Sequence, residues 1–297
     1  MNKNFKIVTD SSSNLFIDEI EKLGITIIPL KIKIGKEIIK ENFTYDMTTI
    51  AYKINSERII PKVISPSVDE FFKTYSLVYP KFNNIISIHL SSGICNIITE
   101  ATNAQSLLYD AKINVSDSLQ AEVGLKPVVL KIASMAQNNI PFHVALNTVK
   151  ISSSQFYTFI ISDNMDFVQT NTNFSGRKSI FALHDSKSRN LFSATGGSLF
   201  LLDKALKPLI IDRLCKVLDT IVKEHKIFVR LQYALDKDFA LTISEILKSR
   251  FDAQIQSIDE MSLSSMCRFG TQSVSIGFTF NEDFFHEFNL GLNHQIE

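Results

Sequence analysis

One recurring unit constrains the fold of this chain more than any other sequence feature: a short apolar run, a polar turn and a helical stretch. Residues 5–9, 84–90 and 113–116 read FKIVT, NIISIHL and INVS, and they have the largely apolar, β-branched composition of buried strands. Each run leads through small polar residues into a segment with helical periodicity. Strands that alternate with helices at this spacing are typical of parallel βαβ units. The first half is therefore predicted to be an α/β domain on a parallel sheet.

The second half has longer and less regular spacing, which predicts an α+β domain with a mixed sheet. Its predicted strands are residues 156–162, 194–201, 227–234 and 274–280. Helices are predicted at residues 208–225 and 239–250, and a polar loop at residues 164–188. The pattern changes near residue 155, so we predict two domains, residues 1–155 and residues 156–297.

Composition and charge exclude several classes of protein. The 297 residues include 31 basic and 31 acidic side chains, so the formal net charge is zero. Proteins that bind nucleic acids usually carry an excess of basic side chains, and this balance therefore argues against that class. The 3 cysteines have neither metal-ligand spacing nor the density of a disulfide framework. No stretch of about 18 apolar residues is free of charge, and the first residues lack the apolar region of a signal peptide. We therefore expect a cytoplasmic protein without a metal site, stable membrane insertion or a nucleic-acid partner.

Hydroxyl-rich segments follow three of the predicted parallel strands, at residues 9–13 (TDSSS), 91–93 (SSG) and 116–118 (SDS). Ligands bind at the carboxyl ends of parallel strands, where helix N-termini also converge. Hydroxyl groups in such places donate hydrogen bonds to anionic or polar head groups. The alternative is that each segment only caps the helix that follows it.

The sequence contains no recognisable catalytic motif: glycine-rich phosphate loops, the serine-hydrolase elbow and the zinc-protease helix are all absent. His89 lies within a predicted strand, and we expect it to be a hydrogen-bonded interior residue. Cys95 follows the turn at residues 91–93, where a helix N-terminus would lower the pKa of its thiol. A hydrolase that uses Cys95 is therefore an alternative. No histidine partner is recognisable, however, and we predict no catalytic residue.

Five ordered segments carry a resemblance to a known family. They are KIVTDSSSNL, TIIPLKIKIG, VISPSVDEFFKTY, IISIHLSSGICNIITEATNAQ and VSDSLQAEVGL, which together span about residues 5–125. Their order and spacing resemble the DegV family of fatty-acid-binding proteins over roughly residues 5–160, and a looser resemblance continues to about residue 280. The resemblance implies a parallel-sheet α/β domain, an α+β domain with a mixed sheet, and a lipid tunnel between them. It also implies a non-enzymatic carrier that presents a long-chain fatty acid to a separate fatty acid kinase, with no cofactor besides this ligand.

The resemblance also implies a set of residues that bind the fatty-acid carboxylate. Val63 occupies the position of a carboxylate-binding threonine, Cys95 that of a serine, and Arg268 that of a histidine near the C-terminus. Gly176 and Arg177 are a displaced remnant of the family's GGRI loop. The predicted ligand-binding residues are Val63, Ser65, Ser91, Ser92, Cys95, Arg268 and Gly270.

Three of these positions depart from the family pattern. Val63 has no hydroxyl group, and the Cys95 thiol is a weaker donor than a serine hydroxyl. Arg268 compensates for both if its guanidinium, which binds carboxylates bidentately, contacts the head group. The alternative for Arg268 is a solvated loop residue. The alternative for the whole protein is a diverged binding or regulatory module that has lost fatty-acid carboxylate binding.

Overall fold

The computed structural model of the protein describes residues 5–42, 45–82, 84–174, 187–282 and 284. In this part of the chain the helices are α1 (Ile17–Leu23), α2 (Met47–Ser56), α3 (Val68–Val78), α4 (Ile97–Ser106), α5 (Glu122–Gln137), α6 (Phe142–Ser154), α7 (Met165–Asn171), α8 (Lys207–Val222), α9 (Lys237–Phe251) and α10 (Leu263–Phe269). The strands are β1 (Lys6–Asp10), β2 (Thr26–Ile28), β3 (Lys31–Ile34), β4 (Glu37–Lys40), β5 (Lys62–Ile64), β6 (Asn84–His89), β7 (Lys112–Asp117), β8 (Tyr157–Ser162), β9 (Ser188–Ser193), β10 (Phe200–Leu206), β11 (Ile227–Tyr233), β12 (Ala253–Glu260) and β13 (Val274–Thr279).

The first sheet is parallel throughout and has the strand order β2-β1-β6-β7. β1 and β6 lie in its centre, which explains why both are apolar runs with nearly every side chain buried. α3 begins at a capping box in which Ser67 and Glu70 each bind the other's backbone N–H, as S-x-x-E in the sequence indicates. The predicted parallel-sheet α/β half of the fold is confirmed.

The second sheet is mixed, and within the described residues its strand order is β10-β9-β8-β13-β11-β12. β11 and β12 run parallel, whereas the other neighbouring strands are antiparallel. Leu214 and Leu218 of α8 and Ile243 and Leu247 of α9 share one apolar core with strand residues such as Phe278. The predicted mixed-sheet half of the fold is confirmed.

A small third sheet is absent from the sequence prediction. It is antiparallel, with the strand order β4-β3-β5. Ile32 of β3 and Met47 of α2 pack in one apolar core with Leu263 and Met266 of α10. This sheet and α2 therefore tie the N-terminal half of the chain to α10 in the C-terminal half.

Two predictions for the second half are wrong. Most of the predicted strand at residues 194–201 is a turn that leads into β10. Gly196 and Gly197 adopt φ values of 77° and 90° there, which an extended strand does not accommodate. The predicted loop at residues 164–188 contains α7, which Asn164 caps through its side chain.

The end of α6 and the start of β8 lie close to the predicted domain boundary. α6 ends at Ser154 and β8 begins at Tyr157. The division into residues 1–155 and residues 156–297 stays a prediction, and Gly176 and Arg177 lie outside the described residues.

Candidate functional site

An open cleft of about 480 Å³ lies beyond the carboxyl end of β6. β5, the loop from β5 to α3, the turn before α4 and the end of α7 enclose it. Three of the predicted ligand-binding residues, Val63, Ser65 and Cys95, line this cleft. Ile94 adds apolar surface, and Asn171 adds a polar group. The cleft therefore combines apolar walls with the hydrogen-bonding groups that a small polar head group needs.

Asn171, which the sequence prediction missed, fixes the position of β5 at the cleft. Its Oδ1 accepts a hydrogen bond of 2.7 Å from the Val63 N–H. Its Nδ2 donates to the carbonyl oxygens of Pro61 and Cys267, at 2.9 Å each. One buried amide thus joins β5, α7 and α10. Val63 faces the cleft only with apolar atoms and a backbone N–H that already has a partner.

Ser91 and Ser92 hold the turn before α4 together. The buried Ser91 hydroxyl donates to the Gly197 carbonyl oxygen at 2.7 Å. The Ser92 hydroxyl donates to Asp117 Oδ2 at 2.5 Å. Both hydroxyl groups therefore have protein partners, and the residues that line the cleft from this turn are Ile94, Cys95 and Asn96.

Cys95 is half-buried and lines the cleft. Burial raises the pKa of Cys95, and the positive charge of Arg268 only partly opposes this rise. The sequence had suggested a lowered pKa from the helix N-terminus, and desolvation outweighs that effect. The thiol is therefore protonated at neutral pH, and the reactive thiolate that the hydrolase alternative requires is disfavoured.

Arg268 lies in the last turn of α10, and only 1% of its surface is exposed. The alternative of a solvated loop residue is wrong. Its Nη1 donates a 2.6 Å hydrogen bond to Oε1 of Glu122, the first residue of α5. Burial disfavours the charged guanidinium and is the largest single effect, but attraction from Glu122, together with smaller contributions from Cys95, Glu41 and Asp10, outweighs it and raises the pKa of Arg268. The hydrogen bond of Arg268 thus goes to Glu122, a residue that the sequence prediction did not include.

A buried chain of hydrogen bonds connects α3 with the end of β1. Tyr75 Oη donates to Ser87 Oγ at 2.7 Å, Ser87 Oγ lies 2.6 Å from His89 Nε2, and His89 Nδ1 lies 2.9 Å from Asp10 Oδ2. Burial alone would raise the pKa of Asp10, but hydrogen bonds and attraction from His89 hold it below its usual range. Asp10 also caps the turn that follows through the Ser12 N–H. His89 is thus a hydrogen-bonded interior residue, as expected, and the segment 9–13 acts here as a cap.

Gly270 forms the turn after α10 and packs against Asp163. Its φ is 114°, and a Cβ atom there would lie 1.9 Å from Asp163 Oδ1. Burial raises the pKa of Asp163 to about 6, although the Gln272 N–H donates to its Oδ1. Gly270 is therefore required by the turn, and the geometry gives it no contact with the cleft.

The fold and the site define an α/β protein with an open cleft beyond the carboxyl end of a strand in its parallel sheet. A sequence profile of the DegV family, described as a family of uncharacterised proteins, matches residues 4–281. The chain belongs to the DegV family, and the resemblance seen in its motifs is confirmed.

Curated relatives match about half of this chain. A DegV domain-containing protein of Streptococcus pyogenes is 29% identical over 156 residues, which are 52% of this chain and 56% of that protein. One of Listeria monocytogenes is 28% identical over 165 residues, which are 55% of this chain and 58% of that protein. The match spans somewhat more than half the length of these relatives.

Solved structures of DegV proteins share the complete fold. A DegV family protein from Thermus thermophilus, described by its fatty-acid binding, has a TM-score of 0.79 at 16% identity, covering 93% of this chain and 99% of that chain. A stearic-acid-binding protein from Eubacterium ventriosum has a TM-score of 0.78 at 20% identity, covering 93% and 98%. The Fatty Acid Kinase (Fak) B3 protein of Streptococcus pneumoniae, loaded with linoleic acid, has a TM-score of 0.76 at 17% identity, covering 94% and 100%.

In the part of the chain that the structure describes, no helix has the length and apolar character needed to cross a membrane. The same residues contain no group of three or more His, Cys, Asp or Glu side chains placed to hold a metal ion.

Proposed function

We propose that this protein is a cytoplasmic, non-enzymatic carrier that binds one long-chain fatty acid and presents it to a separate fatty acid kinase. The observation that carries the proposal is the cleft lined by Val63, Ser65 and Cys95, in a fold shared with DegV proteins that hold fatty acids. The head group occupies this cleft. The acyl chain continues from it into a tunnel between the two halves of the molecule.

Burial of the acyl chain supplies most of the binding free energy. A chain of about sixteen carbons offers roughly 12 kcal/mol at about 0.8 kcal/mol for each buried methylene. Association and ordering cost several kcal/mol of this. The remainder is enough for stable binding, so the head group mainly sets the orientation of the lipid and its presentation to the kinase.

A titration calorimetry experiment tests the proposal with a cleft variant and a matched control. Val63→Asp places a charge in the cleft, whereas Leu241→Asp places the same charge on the exposed face of α9. We expect Val63→Asp to weaken binding of a saturated fatty acid by about tenfold or more, because a charge near apolar ligand atoms is costly. Leu241→Asp should bind as the unaltered protein does. Equal affinities for the two variants, or no binding by the unaltered protein, would contradict the proposal.

A further inference from the structure

The buried ion pair between Arg268 and Glu122 is only half satisfied. One hydrogen bond joins Nη1 of Arg268 to Oε1 of Glu122, and each side chain is 1% exposed. Nε of Arg268 and Oε2 of Glu122 are both buried, and neither has a hydrogen-bond partner among the residues that the structure describes. Buried polar atoms without partners are rare in proteins because each one costs free energy. Within the described residues, a donor and an acceptor of one ion pair are therefore both left for a further partner.

The helix that carries Arg268 borders the cleft. Asn171, which lines the cleft, donates a hydrogen bond of 2.9 Å to the carbonyl oxygen of Cys267, the residue before Arg268. Arg268 and Glu122 also act electrostatically on the Cys95 thiol, which lines the same cleft. The buried ion pair would then form the inner part of a site whose outer part is the open cleft.

The charges around Arg268 come from four elements, and they leave no surplus positive charge. Glu122 begins α5, Cys95 precedes α4, Glu41 follows β4, and Asp10 ends β1. Burial raises the pKa of Glu41 and that of Cys95, which favours their neutral forms. Asp10 is already held by hydrogen bonds with His89 and Ser12. The Glu122 carboxylate therefore neutralises the guanidinium before any ligand arrives.

We propose, on the basis of the proposed function, that this site binds an acyl lipid whose head group is uncharged and carries both a hydrogen-bond donor and an acceptor. The ligand's O–H or N–H donates to Glu122 Oε2, and its oxygen accepts from Arg268 Nε. An undissociated carboxylic acid, a primary amide and an alcohol share this chemistry. A fatty acid is thus bound in its protonated form, and an ionised carboxylate is disfavoured because the described residues around Arg268 supply no second cation to compensate its charge.

Four ligands with the same acyl chain test this proposal on the unaltered protein: the acid, the primary amide, the primary alcohol and the methyl ester. At a pH of about 8 the amide should bind at least tenfold more tightly than the acid, which is ionised there. The acid should gain at least about tenfold in affinity when the pH is lowered to about 6, whereas the amide and alcohol should change less than about twofold. The methyl ester should bind more weakly than the amide, because it accepts a hydrogen bond but leaves Glu122 Oε2 without a donor.

Glu122→Gln reverses the preference, because it removes the charge that neutralises Arg268. This variant should bind the ionised acid about tenfold more tightly than the unaltered protein at a pH of about 8. Glu245→Gln removes the same charge from the exposed surface of α9 and should change nothing. If Glu122→Gln fails to fold, as circular dichroism would show, the four ligands still decide the question on the unaltered protein.

The outcomes separate this proposal from the proposed function. At a pH of about 8, the affinity for the acid could equal or exceed that for the amide, or fall short of it by less than threefold. That result would overturn the proposal of a neutral head group, but it would leave the proposal of a fatty-acid carrier standing. If none of the four ligands binds, both proposals fail. Tight binding of the amide and the alcohol, together with an affinity for the acid that rises as the pH falls, supports both proposals. Comparison of the alcohol's affinity with the amide's then shows which of the two neutral head groups the site prefers.

Discussion

Arg268 and Glu122 connect the two halves of the molecule through an ion pair that is closed to solvent. Nη1 of Arg268, in α10, lies 2.6 Å from Oε1 of Glu122, at the start of α5, and 146 residues separate the two in the sequence. A single buried cation in α10 therefore faces a single carboxylate from the helix that follows β7. This relationship affects both the stability of the fold and the head group that the site accepts.

Breaking this ion pair should be far more costly than replacing it. Arg268→Met and Glu122→Met should each lower the free energy of unfolding by about 3–5 kcal/mol, because each leaves a buried charge without its partner. The double variant should recover most of that loss, since apolar residues of similar volume replace the pair. Urea denaturation of all four proteins measures the coupling. If the losses in the free energy of unfolding from the two single substitutions simply add in the double variant, the interaction between Arg268 and Glu122 does not account for them.

Gly270 should tolerate no side chain, for two reasons that a matched variant separates. A Cβ at Gly270 would lie 1.9 Å from Asp163 Oδ1, and φ is 114°. Gly196 has a φ of 77° with no atom within 4 Å of its would-be Cβ. Gly270→Ala should therefore cost about 3 kcal/mol or more, and Gly196→Ala about 1 kcal/mol. Similar losses in thermal or urea denaturation would show that the contact with Asp163 does not matter.

Asp163 should make stability depend on pH in a defined window. Its pKa is raised by burial from 3.8 to about 6, so the folded state holds the proton more tightly than the unfolded state. The stability that this group contributes is fully present below about pH 3.8 and is lost as the pH rises to about 6. Asp163→Asn keeps an acceptor for the Gln272 N–H but does not ionise. The free energy of unfolding of this variant, minus that of the unaltered protein, should therefore increase between those pH values and stay constant above them. A difference that is flat with pH would contradict the raised pKa.

Cys95 should report on occupancy of the cleft. Because burial raises the pKa of its thiol, alkylation by iodoacetamide should be slow at neutral pH and accelerate at alkaline pH. Bound fatty acid should slow it further, because Cys95 lines the cleft. Peptide mass spectrometry separates this site from Cys215 and Cys267, which are buried. Rapid alkylation at neutral pH, or a rate that ligand leaves unchanged, would contradict this placement.

Local sequence patterns were sufficient to predict the two main sheets. β1 and β6 are apolar, and each is followed by a polar turn and a helix, so their period and spacing identify parallel strands. The third sheet has a comparable signal that the prediction did not use: Lys31–Ile34 alternates charged and apolar residues, with Ile32 and Ile34 buried. The turn at Gly196 and Gly197 is also recognisable from its paired glycines.

The inner part of the site could not be predicted in the same way. The family resemblance pointed to Val63, Ser65 and Cys95, and they do line one cleft. Glu122 was missed because its partner Arg268 is remote in sequence, and no local pattern links them. One signal was present at the start of α5. The first turns of this helix are buried, and a carboxylate among them implies a cation that pairs with it.

Extraction of lipid from the purified, non-delipidated protein followed by mass spectrometry tests the carrier function most directly. We expect one long-chain acyl lipid for each protein molecule, and we expect Val63→Asp to carry less of it than Leu241→Asp. A preparation that is folded but contains no stoichiometric acyl lipid, and that acquires none from fatty-acid-loaded vesicles, would contradict the central claim that this protein is a lipid carrier.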